Sequence, residues 1–489
     1  MTRAAAERGE LAFVLHTHMP YVEGYGTWPF GEEWLWEAIA TCYLPLLDVL
    51  DEGAPVTLSL TPVLADQLAA PGLAERFATF LRDVRRETHR IDVAGCREGG
   101  REAWARELER AAGDYERALE RVERMRDGEL LEAFAAHAAW TSSATHAVLP
   151  LLATDAGVRL QLETGIAAHR ARFDRVGREW RGGFWLPECA HAPWLDPLLE
   201  EAGVHAVCAD LTDVLGRGAA QQLAPLQSAD GPVLVPIDRA TIELVWSDGG
   251  YPAHPLYRDY HAFTVHHHRV WSNAGETYDV EAARAQARTD AADFVSRAIA
   301  RLDAGSAALG RPALAVCAVD TELLGHWWYE GIDWLRAVIA EAERQGLALA
   351  TLDDALARRA PVPLADVVPG GELPTTTWGT PRDLSTWDGP QVADLAWQAR
   401  AAELRTLGGR RRPSPRAQRE LLALQASDWA FQVSRDLAGP YPRERAAGHL
   451  AELERALAED AGGGGGHDDG AVRSLAPHLA AGVTLPTSH

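Results

Sequence analysis

Seven short apolar runs recur along the first 350 or so residues: "LAFVL" (11–15), "VTLSL" (56–60), "GFWLP" (183–187), "VHAVCA" (204–209), "VLVPI" (233–237), "ALAVCAV" (313–319) and "LALATL" (347–352). Each is continuous rather than alternating, which is how a strand covered on both faces reads. Helical patterns such as "WLDPLLEEAG" (194–203) and "YEGIDWLRAVIAEAERQG" (329–346) lie between several of them. Strand, helix, strand repetition over this length predicts a parallel sheet closed toward a (β/α) barrel, with an open doubly wound sheet as the alternative. Two regions break the rhythm. Residues 74–138 read as charged amphipathic helices inserted into the barrel order, and beyond the Pro-rich stretch "RRAPVPLADVVPGGELP" (358–374) the chain is helical throughout. The expected division is a catalytic domain over 1–360, a helical C-terminal domain over 370–460 and a flexible Gly-rich tail over 461–489.

The strands end on polar residues. "LAFVL" runs into His16-Thr17-His18, "GFWLP" into Glu188, "VHAVCA" into Asp210 and "ALAVCAV" into Asp320. In a parallel barrel the carboxyl ends of the strands meet at one face, where such folds place their chemistry. Two carboxylates delivered there from different strands suit glycosidic bond chemistry, one attacking the sugar and the other protonating the leaving oxygen. The 17 Trp residues favour the same substrate class, since flat apolar rings with a polar edge suit the CH faces of sugars; several lie near strand ends, among them Trp28, Trp185, Trp194, Trp246, Trp327 and Trp328. A rival reading takes His16 and His18 as metal ligands, completed by His146 with Asp210 or Asp320, in a deacetylase or amidohydrolase. The triplet His266-His267-His268 reads as an exposed loop. A glycan-binding protein without activity would keep the tryptophans but has no use for both Glu188 and Asp320.

Composition removes other classes. The formal charge of −23, from 47 basic against 70 acidic residues, opposes nucleic acid and anionic membrane surfaces as partners. No Lys occurs, which excludes a Walker-type phosphate loop and a Schiff-base lysine. The five scattered cysteines, with no CxxC pair, fit small buried hydrophobes in a reducing compartment. With no apolar N-terminal core and no run of 18 apolar residues, a cytoplasmic location is expected.

These residues also resemble glycoside hydrolase family 57, and within it the 1,4-α-glucan branching enzymes. "HTHMPYV" (16–22), "ATHAVLP" (144–150), "GFWLPECA" (183–190) and "VDTELLGHWWYEG" (319–331) are similar to successive family motifs, and "WGTPRDLSTW" (378–387) with "SDW" (427–429) to the branching enzymes' helical domain. The resemblance implies an incomplete (β/α)7 barrel with an all-helical C-terminal domain. It implies a retaining mechanism without cofactor or metal, with Glu188 as nucleophile and Asp320 as acid/base. It implies that His16, His18 and His146 line the donor-sugar subsite and that Trp28, Trp246, Trp378, Trp387 and Asp428 contact glucan. The implied partner is an α-glucan of the glycogen or amylose kind, and the implied reaction is branching, with α-1,4-glucan hydrolysis or 4-α-glucanotransfer as the alternative. Pro236-Ile237-Asp238 departs from the usual Gly-Arg-Asp, Ala253 replaces a Gly, and the stretch 214–232 contains no aromatic residue where the branching enzymes hold a Tyr on a mobile lid. An open lid built from Ala219, Ala220, Gln221 and Gln222 would admit water and raise the ratio of hydrolysis to branching above that of relatives with the Tyr.

Overall fold

The computed structural model describes residues 9–27, 30–174, 179–409 and 412–462. Trp28 and most of the expected tail, from 463 on, lie outside the described residues. The centre is one mixed sheet of nine strands: β1 (Gly9–Thr17), β2 (Val56–Leu60), β3 (Ala138–Ser142), β4 (Gly183–Trp185), β5 (Ala206–Ala209), β6 (Leu226–Gln227), β7 (Val233–Pro236), β8 (Ala313–Asp320) and β9 (Val362–Pro363). They are ordered β8-β1-β2-β3-β4-β5-β7-β6-β9. All pairings from β8 round to β7 are parallel, and only β6 runs antiparallel to β7. Helices cover the sheet, giving an α/β half-barrel. β7 and β8 form no ladder; one bond bridges them, from the Asp238 N–H just past β7 to the Val316 carbonyl (2.8 Å). The uninterrupted apolar runs are explained by this arrangement, since all nine residues of β1 are buried.

Two expectations about strands are corrected. "LALATL" forms no strand and makes only an isolated bridge between Leu349 and Leu11. β2 pairs with β1 over Phe13–Thr17 alone, so the start of β1 keeps one open edge, and residues 348–350 fill just that gap. β3, "AAWTS", was not anticipated among the strands, because its alanines read as the end of the helical insertion; it nonetheless joins β2 to β4. Gly183 makes the β3–β4 contact possible, as a Cβ there would fall 2.2 Å from Nε1 of Trp140.

The insertion is helical, with helices at Leu73–Thr79, Arg86–Glu98, Glu102–Val122 and Glu129–Ala135. The histidine triplet is corrected as well: it is packed on this insertion rather than exposed. His268 is 3% exposed; its ring lies 3.6 Å from that of His89, and His266 Nδ1 meets Asp92 at 2.6 Å. Helices Ala393–Leu407, Pro415–Leu424, Ser427–Ser434 and Tyr441–Ala461 form the C-terminal part. They dock on the loop after β1 through the fully buried Arg445, whose guanidinium bonds the Tyr21 carbonyl and stacks 4.4 Å from the Tyr25 ring.

The expected lid is the fourth correction. Gln222 is fully buried and donates to the Gly216 carbonyl at 2.8 Å. Arg301 grips the Gly218 and Ala219 carbonyls at 2.7 and 2.9 Å, and Leu223 packs on Gly305 and Ala313. Ala313 begins β8 whereas Asp320 ends it, so Leu223 lies toward the opposite end of the barrel from the carboxylate. Ile237 is likewise buried in the core, and Asp238 beside it pairs with Arg301 at 3.1 Å.

Candidate active site

Register brings the first residues together. His16 of β1 stands opposite Ser59 of β2 on one side and Asp320 of β8 on the other. β4 follows two strands along, and Glu188 comes three residues after its last residue, Trp185. There the backbone turns left-handed, at φ 61° and ψ 22° for Glu188 and φ 47° for Cys189. A non-glycine residue in that region costs of order 1–3 kcal/mol and persists only where its surroundings hold it. The hold comes from the segment preceding the C-terminal helices. The Glu188 carbonyl accepts from the Trp378 N–H (3.0 Å) and the Thr377 hydroxyl (2.8 Å), and His191 and Thr376 exchange backbone bonds of 3.0 and 2.8 Å. The Trp378 indole N–H also donates to Glu188 Oε2 at 3.1 Å.

The histidines form one stack. His16 and His146 share a bond between their Nε2 atoms at 2.9 Å; their outer nitrogens meet Ser59 (3.3 Å) and Ser427 (2.9 Å). One ring must donate and the other accept, so the Ser59–His16–His146–Ser427 chain has a single sense of donation at a time. His16 lies on the Trp185 indole at 4.7 Å and 14°, and His18 lies on His146 at 4.0 Å. Burial, reinforced by the charge on His18, holds His16 and His146 well below the usual histidine range, so both are neutral. Burial also opposes charge on His18, but Asp428 at 2.9 Å, helped by Glu322 and Glu188, outweighs it and raises His18. His146 shares the left-handed strain, at φ 59°, and its Nδ1 lies 3.8 Å from Glu188 Oε1.

The two carboxyls are held apart in character. Its recessed position pushes Glu188 up to about 7; the Trp378 bond pulls against this, Asp428 adds to it, and His18 opposes it. Asp320 is raised well above the ordinary aspartate range by burial and then by the negative charges of Glu322 and Glu188. A pair of carboxyls of which one ionises near neutrality and the other keeps its proton supplies a base or nucleophile and an acid in one cleft.

Of the other residues singled out in the sequence, Trp378 and Trp246 sit in this site, with ring centroids 5.8 Å apart. Trp387 is 3% exposed and packs its ring edge under Gly379, so it supports the 378–382 turn rather than presenting a face to the cleft. Asp210 is tied to Arg239 at 2.6 Å, and Arg239 donates to the Trp378 carbonyl at 2.6 Å, a positioning role remote from metal binding. Among the described residues, no group of three or more His, Cys, Asp or Glu is placed to hold a metal ion. Sequence reasoning missed Glu322, Tyr43 and Ser427. Glu322 is buried, accepts from the Tyr43 hydroxyl at 2.6 Å and from the His18 N–H at 3.3 Å, and is itself pushed up to about 7 by burial. Its position two residues after a strand-ending aspartate was the available signal, and Ser427 opens the "SDW" motif; Tyr43 had none outside the fold.

Comparison with known proteins identifies the family. Residues 102–367 match the model of glycosyl hydrolase family 57, and residues 392–475 match that of the 1,4-alpha-glucan branching enzyme C-terminal region. A probable 1,4-alpha-glucan branching enzyme of Mycobacterium tuberculosis is 34% identical over 94% of this chain and 94% of its own. The crystal structure of a GH57-type branching enzyme from Pyrococcus horikoshii superposes with a TM-score of 0.86 at 28% identity, covering 96% of this chain and 94% of that one. The alpha-amylase AmyC of Thermotoga maritima, at 23% identity over 93% of this chain and 94% of its own, shares the fold with a TM-score of 0.74. The chain belongs to glycosyl hydrolase family 57.

Proposed function

We propose that the protein is a 1,4-α-glucan branching enzyme working with retention. The carrying observation is the pairing of an acid that ionises near neutrality, Glu188, with one that stays protonated, Asp320, around a neutral histidine stack. Asp320 donates its proton to the glycosidic oxygen as a Glu188 oxygen attacks the anomeric carbon, giving a glycosyl ester and a free chain end. The Asp320 carboxylate then takes the proton of an incoming 6-hydroxyl, whose oxygen displaces Glu188. His16, His18 and His146 line the donor site. Asp428 keeps Oδ2 without a protein partner, which suits a hydrogen bond to a sugar hydroxyl. Trp246 and Trp378 offer the stacking surface.

We read the seven parallel strands from β8 round to β7 as an incomplete (β/α)7 barrel, residues 370–460 as a separate helical domain and the substrate as glycogen-like. All five cysteines are free and buried, which suits the cytoplasm, and among the described residues no helix is long and apolar enough to cross a membrane. Incubation with amylose followed by proton NMR tests the reading. New α-1,6 signals, absent with Glu188→Gln, are expected; reducing ends without α-1,6 signals would make the protein a hydrolase.

A further inference from the structure

The seam between β7 and β8, where the sheet does not close, is roofed by a row of aromatic residues of which only the innermost, Trp246, belongs to the site described above. Trp246 follows the helix Arg239–Val245 after β7, and Trp327 lies in the turn after β8; their rings are 6.1 Å apart at 42°. Each is 37% exposed, whereas Trp328, the next residue, is 1% exposed in the core. One turn therefore divides two indoles between interior and surface. Beyond Trp327 the row runs to His326 (6.2 Å) and on to Tyr260 (5.8 Å). Inward it reaches Trp378 and, through that indole, Glu188.

The outer end is preformed. The Arg269 guanidinium covers the Tyr260 ring at 4.4 Å and donates to its carbonyl at 2.8 Å. Arg85 and Asp92 of the helical insertion fix the same loop through the His266 carbonyl (3.2 Å) and the His266 ring (2.6 Å). Large, partly exposed rings in a fixed row leading away from a nucleophile match the apolar faces of successive sugar units, and binding remote units supplies energy for the reacting one.

We infer that Trp327 and Tyr260, continuing from Trp246 across the β7/β8 seam, form an outlying glucan subsite that selects long chains. This rests on the α-glucan activity proposed above. The test uses the full chain with Glu188→Gln, titrated calorimetrically with maltotriose and with soluble amylose. Adding Trp327→Ala or Tyr260→Ala is expected to weaken amylose binding about fivefold to tenfold and to change maltotriose binding less than about twofold. Trp327→Phe should restore most of the loss. Unchanged amylose affinity in both alanine variants, or equal loss on both ligands, overturns the subsite while leaving the activity standing. Failure of the Glu188→Gln protein to bind amylose at all, with no cleavage by the unmodified enzyme, overturns subsite and activity together.

Discussion

The hydrogen bond from Trp378 to Glu188 is the one contact at the site whose removal has a calculable sign. Trp378→Phe deletes the indole N–H that reaches Glu188 Oε2 at 3.1 Å but keeps a ring against Trp185, now 5.0 Å away, and Trp246. A hydrogen bond to a charged group contributes roughly 1.5–3 kcal/mol, and one pKa unit is about 1.36 kcal/mol. Glu188, at about 7 with the bond in place, should therefore rise by about 1–2 units, since the bond favours the ionised form. The nucleophile must be ionised, so activity is lost as pH falls through this value, and the acid limb of the profile moves upward in the variant. At pH 7 the ionised fraction drops from about a half to about a tenth or a hundredth, a loss of about 5- to 50-fold in kcat/KM. The loss should be recovered toward alkaline pH until Asp320, raised well above the usual aspartate range, gives up its proton. The assay is kcat/KM on amylose from pH 5 to 10. A lower plateau with the acid limb unmoved would refute the reasoning, because it would mean that Trp378 acts by packing or sugar contact alone.

Three further outcomes are expected. In a crystal of the Glu188→Gln enzyme with a maltooligosaccharide, the carboxyl carbons of residues 188 and 320 should lie roughly 5–5.5 Å apart, and about 9 Å would replace retention by inversion. Exhaustive chelation should leave glucan cleavage intact; activity lost in chelator and restored by zinc would reassign His16 and His18 as ligands. Because Gln222 is buried and bonded to Gly216, Gln222→Tyr should destabilise the fold by about 1–3 kcal/mol in urea unfolding and leave the ratio of branching to hydrolysis unaltered. A higher ratio at unchanged stability would restore that stretch as a lid.

What the sequence disclosed depended on how local each feature was. The strands β1, β2 and β8 are short, mainly apolar runs, and the terminal His16, His18 and Asp320 could be placed on one face by topology alone. β3 could not, because "AAWTS" is held by its neighbours' pairing and not by its own propensity. Glu188 was legible as a carboxylate at the end of a buried run, but its left-handed turn was not, since that conformation exists only through Thr377 and Trp378, nearly two hundred residues away. The 214–232 stretch was misread for a related reason. Small residues suggest openness when taken alone, yet Arg301 and Leu223 draw them into the packing against β8.

The C-terminal helical part emerges as a component of the site and not an appendage to it. The barrel delivers Glu188, Asp320 and His16 by strand register and, by burying them, sets the main direction of their protonation; the C-terminal part adjusts Glu188 and His18. Trp378 opposes the rise of Glu188, and Asp428 raises both Glu188 and His18. Ser427 orients His146, which in turn fixes the tautomer of His16. Ser427 and Asp428 stand on one of the helices whose attachment involves the buried Arg445 beside Tyr21 and Tyr25, in the loop that follows β1 and carries His18 at its start, while Trp378 stands on the segment before them. Docking of the helices and tuning of the carboxylates are thus one physical event. A substitution at the Arg445 interface is therefore expected to reach catalysis through the 2.9 Å contact between Asp428 and His18.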